Sequence, residues 1–326
     1  MTDTPPTEVS AQLEALCAAL DDEIPPRLVD RNLLIATWNI RAFGGLTESW
    51  RADDDDSPKR DLLGLRAIAE VLSRFDVIAL QEVRGNLKAL RHTLRWLNRD
   101  GDHWGLILTD VTRGSAGNNE RMAFVFDTRR VKPSGLACEL VVPDRREITD
   151  DAFDRQFART PYAVSFLGGA TTFILVTLHV LYGEKPEDRM GELTAIAEWL
   201  AEWAEDVHSW DHNLIALGDF NIDRIGDPLY KAFTSTGLTT PRELDEVPRT
   251  IFADGTDHHY DQIAWFTGGS GTPALSLVYT GRAGGFDFTP YVHHDLTRQQ
   301  QSWRVSDHYP LWVEFDARSS VLQPSG

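Results

Sequence analysis

Residues 33–40 read LLIATWNI, a continuous apolar run that carries the polar side chain of Asn39 near its end. Such a short run, rich in branched residues, favours a buried strand. Residues 61–74 (DLLGLRAIAEVLSR) follow with the periodicity of a helix, and residues 76–83 (DVIALQEV) form a second apolar run that ends near Glu82. The stretch therefore predicts a strand–helix–strand unit, which is a building block of α/β folds.

The same order recurs later in the chain. Residues 172–221 again contain an apolar strand, a long helix and a second apolar strand. In both units the strands end in polar residues: Asn39, Glu82, His179, Asp219 and Asn221. Ligand sites of α/β proteins gather at the carboxyl ends of strands, so we expect one site assembled from both halves. The fold class predicted is α/β, with two packed mixed β-sheets flanked by helices in a four-layer α/β/β/α sandwich.

Other patterns extend this plan along the chain. Further strands are expected at residues 121–127, 162–168, 171–180, 213–221, 260–266, 274–279 and 311–315, and further helices at 86–98 and 188–207. A short amphipathic helix is expected from Ser10 to Ala19, with Ser10 as its N-cap. These patterns predict an N-terminal tail with this helix at residues 1–30, one large domain at 31–318 and a C-terminal tail at 319–326.

Composition bounds the class of protein. The chain has 326 residues, of which 42% are hydrophobic and 25% charged, as is typical of a soluble globular protein. It contains no run of about 18 apolar residues, so no membrane-spanning helix is expected. The acidic amino end lacks the basic stretch of a secretory signal, and Cys17 and Cys138 stand in unrelated contexts. These features predict a cytoplasmic location, with secretion by another route left open.

The excess of acidic residues limits the partners that the protein could attract by charge alone. The chain has 50 Asp and Glu residues against 32 Lys and Arg residues, which gives a formal net charge of −18. This charge disfavours broad attraction to nucleic acid or to anionic membranes. It leaves room for a local basic face, and for a site in which divalent cations offset the carboxylates. The acidic run at residues 51–60 (RADDDDSPKR) is expected to form a solvated loop.

The polar residues at the strand ends form a chemically coherent set. In chain order they are Asn39, Glu82, His179, Asp219, Asn221, Asp261, Asp307 and His308. Carboxylates beside an amide suit a hard divalent cation, and the lack of thiolate ligands counts against structural zinc. Two histidines with carboxylate neighbours suit general acid–base catalysis. A metal, a base and an acid are what phosphodiester hydrolysis needs, although each motif alone also fits a turn or a surface position.

The ordered motifs WNI, QEV, LH, GDFN, YDQI and SDHYP resemble those of the endonuclease/exonuclease/phosphatase superfamily over residues 33–316. The stretches NIRAFGG, QEVRG, FDF and SDHYP look most like the deoxyribonuclease I branch. The resemblance implies a two-sheet α/β sandwich and phosphodiester cleavage that depends on Mg²⁺, with Mn²⁺ or Ca²⁺ as alternative or assisting ions. Double-stranded DNA is the nucleic acid substrate that this branch implies, with neither a membrane nor an obligate protein partner.

The resemblance also implies roles for individual residues. Glu82 is the principal metal carboxylate with Asn39 beside it, and Asp307 is a second metal or phosphate-side carboxylate. His308 is the general base that activates water. Asp261 orients that base, as a carboxylate holds a catalytic histidine elsewhere.

Further roles concern the phosphate side of the reaction. His179 protonates the leaving oxygen or binds the scissile phosphate, and Glu120 is its carboxylate partner. Asp219, among the catalytic residues, binds the phosphate and metal together with Asn221. Arg159 matches an arginine that contacts the phosphate.

Arg41 and Arg84 each follow a metal-site motif by two positions, which leaves two alternatives. Both arginines approach a minor groove from the rim of the cleft, or both pair with local carboxylates. Two departures from the branch bear on duplex binding: Asn118 stands where a groove-stacking tyrosine is expected, and residues 138–157 replace a short disulfide loop. His258, His259, His293 and His294 are expected in substrate loops or at the surface, with a second metal site as the alternative.

The leading functional hypothesis is a DNA endonuclease of low sequence specificity, because phosphate contacts carry little sequence information. A phospholipid or inositol phosphate phosphodiesterase, or a phosphatase, keeps the fold and changes the substrate. An abasic-site repair enzyme fits less well, because the first motif continues with Arg41 and Ala42. An inactive scaffold is the alternative from another class, and the presence of both histidines and the metal-type acids counts against it.

Overall fold

A computed structural model of the chain describes residues 4–112, 118–140, 159–183, 185–206, 211, 213–252, 258–269 and 272–318. The predicted C-terminal tail at 319–326 lies outside the described residues, as does most of the segment at 138–157 that replaces the disulfide loop. Among the described helices, none is both long and apolar enough to cross a membrane.

The described residues form two six-stranded sheets and six α-helices. The strands are β1 (Asn32–Phe43), β2 (Val77–Arg84), β3 (Trp104–Leu108), β4 (Glu120–Asp127), β5 (Val131–Glu139), β6 (Tyr162–Gly168), β7 (Thr171–His179), β8 (Leu214–Asp219), β9 (Leu238–Thr239), β10 (Asp261–Phe266), β11 (Val278–Gly285) and β12 (Leu311–Asp316). The helices are α1 (Thr7–Glu23), α2 (Leu62–Leu72), α3 (Lys88–Leu97), α4 (Pro186–Glu205), α5 (Pro228–Phe233) and α6 (Arg298–Arg304). The strand orders are β11-β12-β1-β2-β4-β3 in the first sheet and β5-β6-β7-β8-β10-β9 in the second.

Both strand–helix–strand units form as the sequence predicts. β1 pairs in parallel with β2, and β7 pairs in parallel with β8. The register places Asn39 opposite Gln81, one residue before Glu82, and His179 opposite Asp219. The predicted polar strand ends therefore lie side by side at one edge of each sheet.

The two sheets pack face to face, and helices cover their outer faces. Between the sheets the rings of Phe124 and Phe166 meet edge to face, with their centroids 5.7 Å apart. A second apolar cluster joins the first sheet to α1, α2 and α3, and includes the fully buried Leu16 of α1. A third cluster joins the second sheet to α4 and α5. These layers confirm the predicted α/β/β/α sandwich.

Several elements differ from their prediction. α1 begins at Thr7 after an N-cap at Pro6, so Ser10 lies inside the first turn and is not the cap. The strand expected at 274–279 starts only at Val278 and continues as β11. The sequence patterns also missed β3, β5, β9, α5 and α6. β5 alternates in exposure and contains Pro133, while α6 is short and polar, so neither has a long apolar signature.

Two groups of polar residues are placed differently from expectation. Asp53, Asp54 and Asp55 are exposed as predicted, but the same acidic run ends in Arg60, which is buried. His258 and His294 are exposed, whereas His259 and His293 are buried and not at the surface.

His293 is buried because it has a carboxylate partner. Its Nε2 atom lies 3.0 Å from Asp61 Oδ1, and its backbone N–H donates to Gln12. Asp61 also caps α2 by accepting a hydrogen bond from Gly64 N. The contact therefore joins the loop before α6 to α1 and α2, a structural role that offsets the cost of burying an imidazole.

Candidate active site

The ends of seven strands meet at one edge of the sandwich. β1, β2, β7 and β8 deliver their carboxyl ends there, and the antiparallel β4, β10 and β12 deliver their amino ends. A cleft of about 350 Å³ opens at this edge. The cleft is lined by eleven of the predicted site residues, namely Asn39, Arg41, Glu82, Arg84, Glu120, Arg159, His179, Asp219, Asn221, Asp307 and His308. The twelfth, Asp261, is fully buried beneath His308.

His308 and Asp261 form a close polar pair at the cleft. His308 Nδ1 lies 2.7 Å from Asp261 Oδ2. Burial raises the pKa of Asp261 to about 6, although the charge of His308 opposes this shift. Burial alone would lower the pKa of His308, but neighbouring carboxylates, first of all Asp261, raise it well above its usual range. The carboxylate of Asp261 therefore favours the protonated form of His308 and holds its Nδ1 side in place.

The backbone around His308 fixes the orientation of its ring. Ser306 Oγ accepts a hydrogen bond from His308 N at 3.1 Å and donates one to Asn39 O at 2.6 Å. Trp38 Nε1 donates to His308 O at 2.8 Å. The SDHYP stretch is thus a bend at Asp307 followed by a bridge from His308 to Thr250, and it is bonded to the end of β1.

His179 has a second carboxylate partner. Its Nδ1 atom lies 3.1 Å from Glu120 Oε2, and Arg159 Nε lies 2.6 Å from the same oxygen. Burial would raise the pKa of Glu120, but the hydrogen bond to His179 and the nearby cations outweigh it and lower the pKa. Glu120 therefore stays ionised and holds one nitrogen of the His179 ring in place.

Asp219 lies between the two histidines. Its Oδ2 atom is 3.6 Å from His179 Nε2 and 3.9 Å from His308 Nε2, and it accepts a 2.9 Å hydrogen bond from Asn39 Nδ2. Asn221 N donates to Asp219 Oδ1 at 3.0 Å. Both imidazoles therefore direct their Nε2 atoms at the same point of the cleft, and their Nδ1 atoms at buried carboxylates.

Gly218 explains how Asp219 reaches this position. Its φ is +144°, and a Cβ atom built on it would lie 2.1 Å from Leu178 O of the neighbouring strand. Only glycine fits such an approach. Glu82 and Asn221 also have positive φ values, +58° and +50°. Left-handed backbone at side-chain-bearing residues costs free energy, and such residues concentrate at functional sites.

Two of the three residues predicted to bind a metal present an oxygen without a hydrogen-bond partner. Asn39 Oδ1 and Asp307 Oδ1 are buried and accept no hydrogen bond. Glu82 Oε2 accepts from Ala42 N at 2.9 Å. The described residues contain no group of three or more His, Cys, Asp or Glu side chains arranged to hold a metal. Two carboxylates with one amide nevertheless fit Mg²⁺, which is commonly held by one or two carboxylates and retains several waters.

The two arginines of uncertain role lie in the cleft and pair with its carboxylates. Arg41 Nη1 is 3.4 Å from Asp307 Oδ2, and Arg84 Nη2 is 3.4 Å from both Glu82 and Glu120. The second of the two alternatives, pairing with local carboxylates, is therefore present. Asn118, which stands where a groove-stacking tyrosine was expected, also bonds to a carboxylate of the cleft: its Nδ2 donates to Glu120 Oε1 at 2.6 Å.

Sequence reasoning missed two residues of the cleft, Tyr182 and Trp303. Both are aromatic and exposed. Tyr182 follows β7, and Trp303 lies on α6, an element that was not predicted. Their positions depend on the path of a loop and of a short helix, for which the sequence gives no periodic signal.

The sequence matches one family model, that of the Endonuclease/Exonuclease/phosphatase family, over residues 36–308. A deoxyribonuclease of Thioalkalivibrio sp. (strain K90mix) is 27% identical over 298 residues, which cover 88% of this chain and 72% of that protein. Deoxyribonuclease-1 of Bos taurus is 25% identical over 291 residues, with 86% and 92% covered.

Solved structures show the same architecture. A mannosyl-6-phosphatase of Bacteroides thetaiotaomicron superposes with a TM-score of 0.54 at 17% identity, covering 87% of this chain and 99% of that one. A humanized D. rerio TDP2 superposes with a TM-score of 0.54 at 15% identity, covering 87% and 98%. At these identities the likeness concerns the fold alone. Since the matched region runs from within β1 to His308 and contains every strand end of the cleft, the chain belongs to the endonuclease/exonuclease/phosphatase family.

Proposed function

We propose that this protein is a divalent-metal-dependent endonuclease of low sequence specificity that hydrolyses the phosphodiester bonds of DNA, including double-stranded DNA. The observation that carries the proposal is the pair of histidines whose Nε2 atoms both face Asp219 Oδ2, at 3.6 and 3.9 Å. The similarity to proteins named deoxyribonuclease supports DNA as the substrate. The arginines that line the cleft, Arg41, Arg84 and Arg159, suit phosphate contacts, which carry little sequence information and so support low specificity.

In this proposal His308 is the base. With Nδ1–H bonded to Asp261, a neutral His308 presents Nε2 to the cleft and accepts a proton from the attacking water. The neighbouring carboxylates raise the pKa of His308, and a divalent cation held by Glu82, Asn39 and Asp307 would offset part of their charge and favour the neutral imidazole that acts as a base.

His179 is the acid. Glu120 holds its Nδ1 side, so Nε2–H can donate to the oxygen that leaves phosphorus. As the bond from the water oxygen to phosphorus forms, the bond to the leaving oxygen breaks. One proton passes to His308 and another comes from His179, which balances the reaction.

The negative charge that develops on the phosphate in the transition state has to be stabilised by further groups. Asn221 and the guanidinium groups of Arg41 and Arg159 line the cleft and would bind phosphate oxygens. Glu82, Asn39 and Asp307 would hold a Mg²⁺ ion, which supplies positive charge to the reacting phosphate when it is bound.

The direct test is nicking of supercoiled plasmid with Mg²⁺, with and without EDTA. We expect the intact protein to nick the plasmid only without EDTA, and His308→Ala to lose this activity. His294→Ala is the matched control because it removes an exposed histidine outside the cleft. Nicking that survives in His308→Ala would contradict the assignment of the base. Failure to nick, with cleavage of a phospholipid or inositol phosphate by the same preparation, would favour the alternative substrates.

A further inference from the structure

Trp303 is a large apolar side chain held open to solvent beside the catalytic residues. It lies on α6, 43% exposed, and lines the cleft with His308 and Asp307. The guanidinium of Arg41 lies over its ring, 3.8 Å from the centroid, and Arg41 also contacts Asp307. One face of the indole is therefore occupied by Arg41, which connects the ring to the predicted phosphate-binding groups. The rest of the indole is open to a ligand that occupies the cleft.

The helix that carries Trp303 is rigidly anchored. Thr297 and Gln300 form a capping box at the start of α6. Gln301 Nε2 donates to the carbonyls of Thr289, Val292 and His293 at 2.9, 3.0 and 3.1 Å. The backbone at Trp303 is therefore held in place before any ligand arrives, and Arg41 packs on the ring, which limits the entropy lost when a planar group stacks on it.

Tyr182 provides a second exposed ring on the opposite bank. It follows β7 of the second sheet and is 55% exposed, whereas α6 packs on β1 of the first sheet. The guanidinium of the buried Arg189 lies 4.9 Å from its ring centroid, and Tyr260 packs edge to face against it at 6.2 Å. Tyr260 in turn packs at 6.0 Å from the ring of His308. An aromatic ring thus lies on each side of the cleft, next to the catalytic histidines.

We infer that Trp303 and Tyr182 each stack on a nucleobase that flanks the scissile phosphodiester, so that the cleft prefers unpaired DNA strands to intact duplex. The inference rests on the proposed DNA cleavage and specifies the substrate. Every base has a π face, so stacking binds DNA without reading its sequence. The bases of a regular duplex are covered by their neighbours and cannot stack on protein rings without unstacking first.

The charge of the protein favours the same conclusion. With a net charge of −18 and the arginines of the cleft paired with carboxylates, attraction to phosphates alone is weak. Stacking on aromatic rings adds affinity that does not depend on net charge. Single strands, frayed ends and locally melted regions of supercoiled DNA offer such bases.

The test removes the ring and the base separately. The substrate is a single-stranded tetranucleotide with one hydrolysable central linkage, made with all bases or with an abasic residue on one or the other side of that linkage. We expect Trp303→Ala to lower kcat/KM about tenfold on the complete substrate and to be insensitive to base removal on one side. Tyr182→Ala should likewise lower kcat/KM about tenfold on the complete substrate, and it should be insensitive to base removal on the other side of the linkage. Trp303→Phe keeps an aromatic face and should retain most of the activity.

Controls separate this inference from the proposed function. Leu167→Ala removes an exposed apolar side chain on β6, outside the cleft, and should cleave as the unaltered protein does. The unaltered protein should also cleave a single strand faster than the same strand in a duplex. If plasmid nicking is normal but both ring variants retain full kcat/KM and full sensitivity to base removal, the stacking inference is overturned alone. If the unaltered protein cleaves no DNA, both proposals fall.

Discussion

Asn39 Nδ2 donates a 2.9 Å hydrogen bond to Asp219 Oδ2, and this contact joins the end of β1 in one sheet to the end of β8 in the other. Just below, Gln81 Nε2 donates to Thr177 Oγ1 at 2.9 Å, again from one sheet to the other. The floor of the cleft is therefore a polar seam between the two sheets. The catalytic geometry depends on the register of both.

This seam predicts the effect of Asn39→Asp. The substitution replaces the donor with a carboxylate in contact with Asp219, and two buried carboxylates repel each other. We expect the free energy of unfolding at pH 8 to fall by about 1–3 kcal/mol. Millimolar Mg²⁺ should restore part of this loss, because a cation offsets both charges.

Urea unfolding with and without Mg²⁺ measures this effect, and Asn39→Ala is the control that removes the donor without adding charge. An equal response to Mg²⁺ in the two variants would argue against a cation near residue 39.

Asp261→Asn tests the orientation of His308. The amide has nearly the same shape, but it cannot stabilise an imidazolium and it can favour the wrong tautomer. We expect kcat for DNA cleavage to fall by about 10²–10⁴-fold, while KM changes little.

Steady-state kinetics of the single variants and of the double variant with His308→Ala check the Asp261 assignment. The double variant should be no worse than His308→Ala alone, since the two residues act as a unit. Additive losses would mean that Asp261 acts independently of His308.

The positions of these predicted site residues follow from the continuous apolar strands that they end. In an α/β sandwich the carboxyl ends of the parallel strands lie at the same edge of the sheets. Glu82 and His179 could therefore be assigned to a common edge from the chain order alone. The pairing of β1 with β2 and of β7 with β8 then follows from the two strand–helix–strand units.

Other features depend on contacts that leave no local pattern. His293 and Asp61 are 232 residues apart in the sequence, and neither neighbourhood indicates that the imidazole is buried. Trp303 is exposed because α6 buries its other face, which carries Gln301, Ser302 and Arg304. Tertiary packing determines which face of this polar seven-residue helix is buried. The exposed aromatic rings of the cleft therefore became visible only in the structure.

Glu192 of α4 predicts a dependence of stability on pH. Burial raises the pKa of Glu192 from 4.5 to about 7, although the N–H of Leu181 and the charges of Arg159 and His179 oppose the shift. Because the pKa of Glu192 is higher in the folded state than in the unfolded state, the protonated carboxyl group favours the folded protein. This contribution to the free energy of unfolding is fully present below pH 4.5 and is lost as pH rises through about 7.

Glu192→Gln, a neutral isostere, removes this dependence. Relative to the unaltered protein, the variant should therefore gain about 1–3 kcal/mol of unfolding free energy between pH 5 and pH 8. Urea unfolding at both pH values measures the gain. Glu198→Gln, which is exposed on the same helix, controls for the loss of one charge, and an equal gain there would contradict the role of burial.

Gly218→Ala tests whether the approach of β7 to β8 sets the position of Asp219. The added Cβ would meet Leu178 O at 2.1 Å, and a φ of +144° is one that alanine rarely adopts. The strands would have to separate just before Asp219, so we expect a loss of about 3 kcal/mol or more in unfolding free energy. DNA cleavage should be lost even in the fraction that folds, because both histidines face the displaced carboxylate.

The matched control for this substitution is Gly191→Ala in α4. A Cβ atom at Gly191 meets nothing within 4 Å, and alanine is the better helix former. We therefore expect Gly191→Ala to stabilise the protein by about 0.5–1 kcal/mol and to leave cleavage unchanged. Circular dichroism during urea unfolding, with plasmid nicking on the same samples, separates the two effects. Normal cleavage by Gly218→Ala would mean that Asp219 reaches its place without the close contact between these strands.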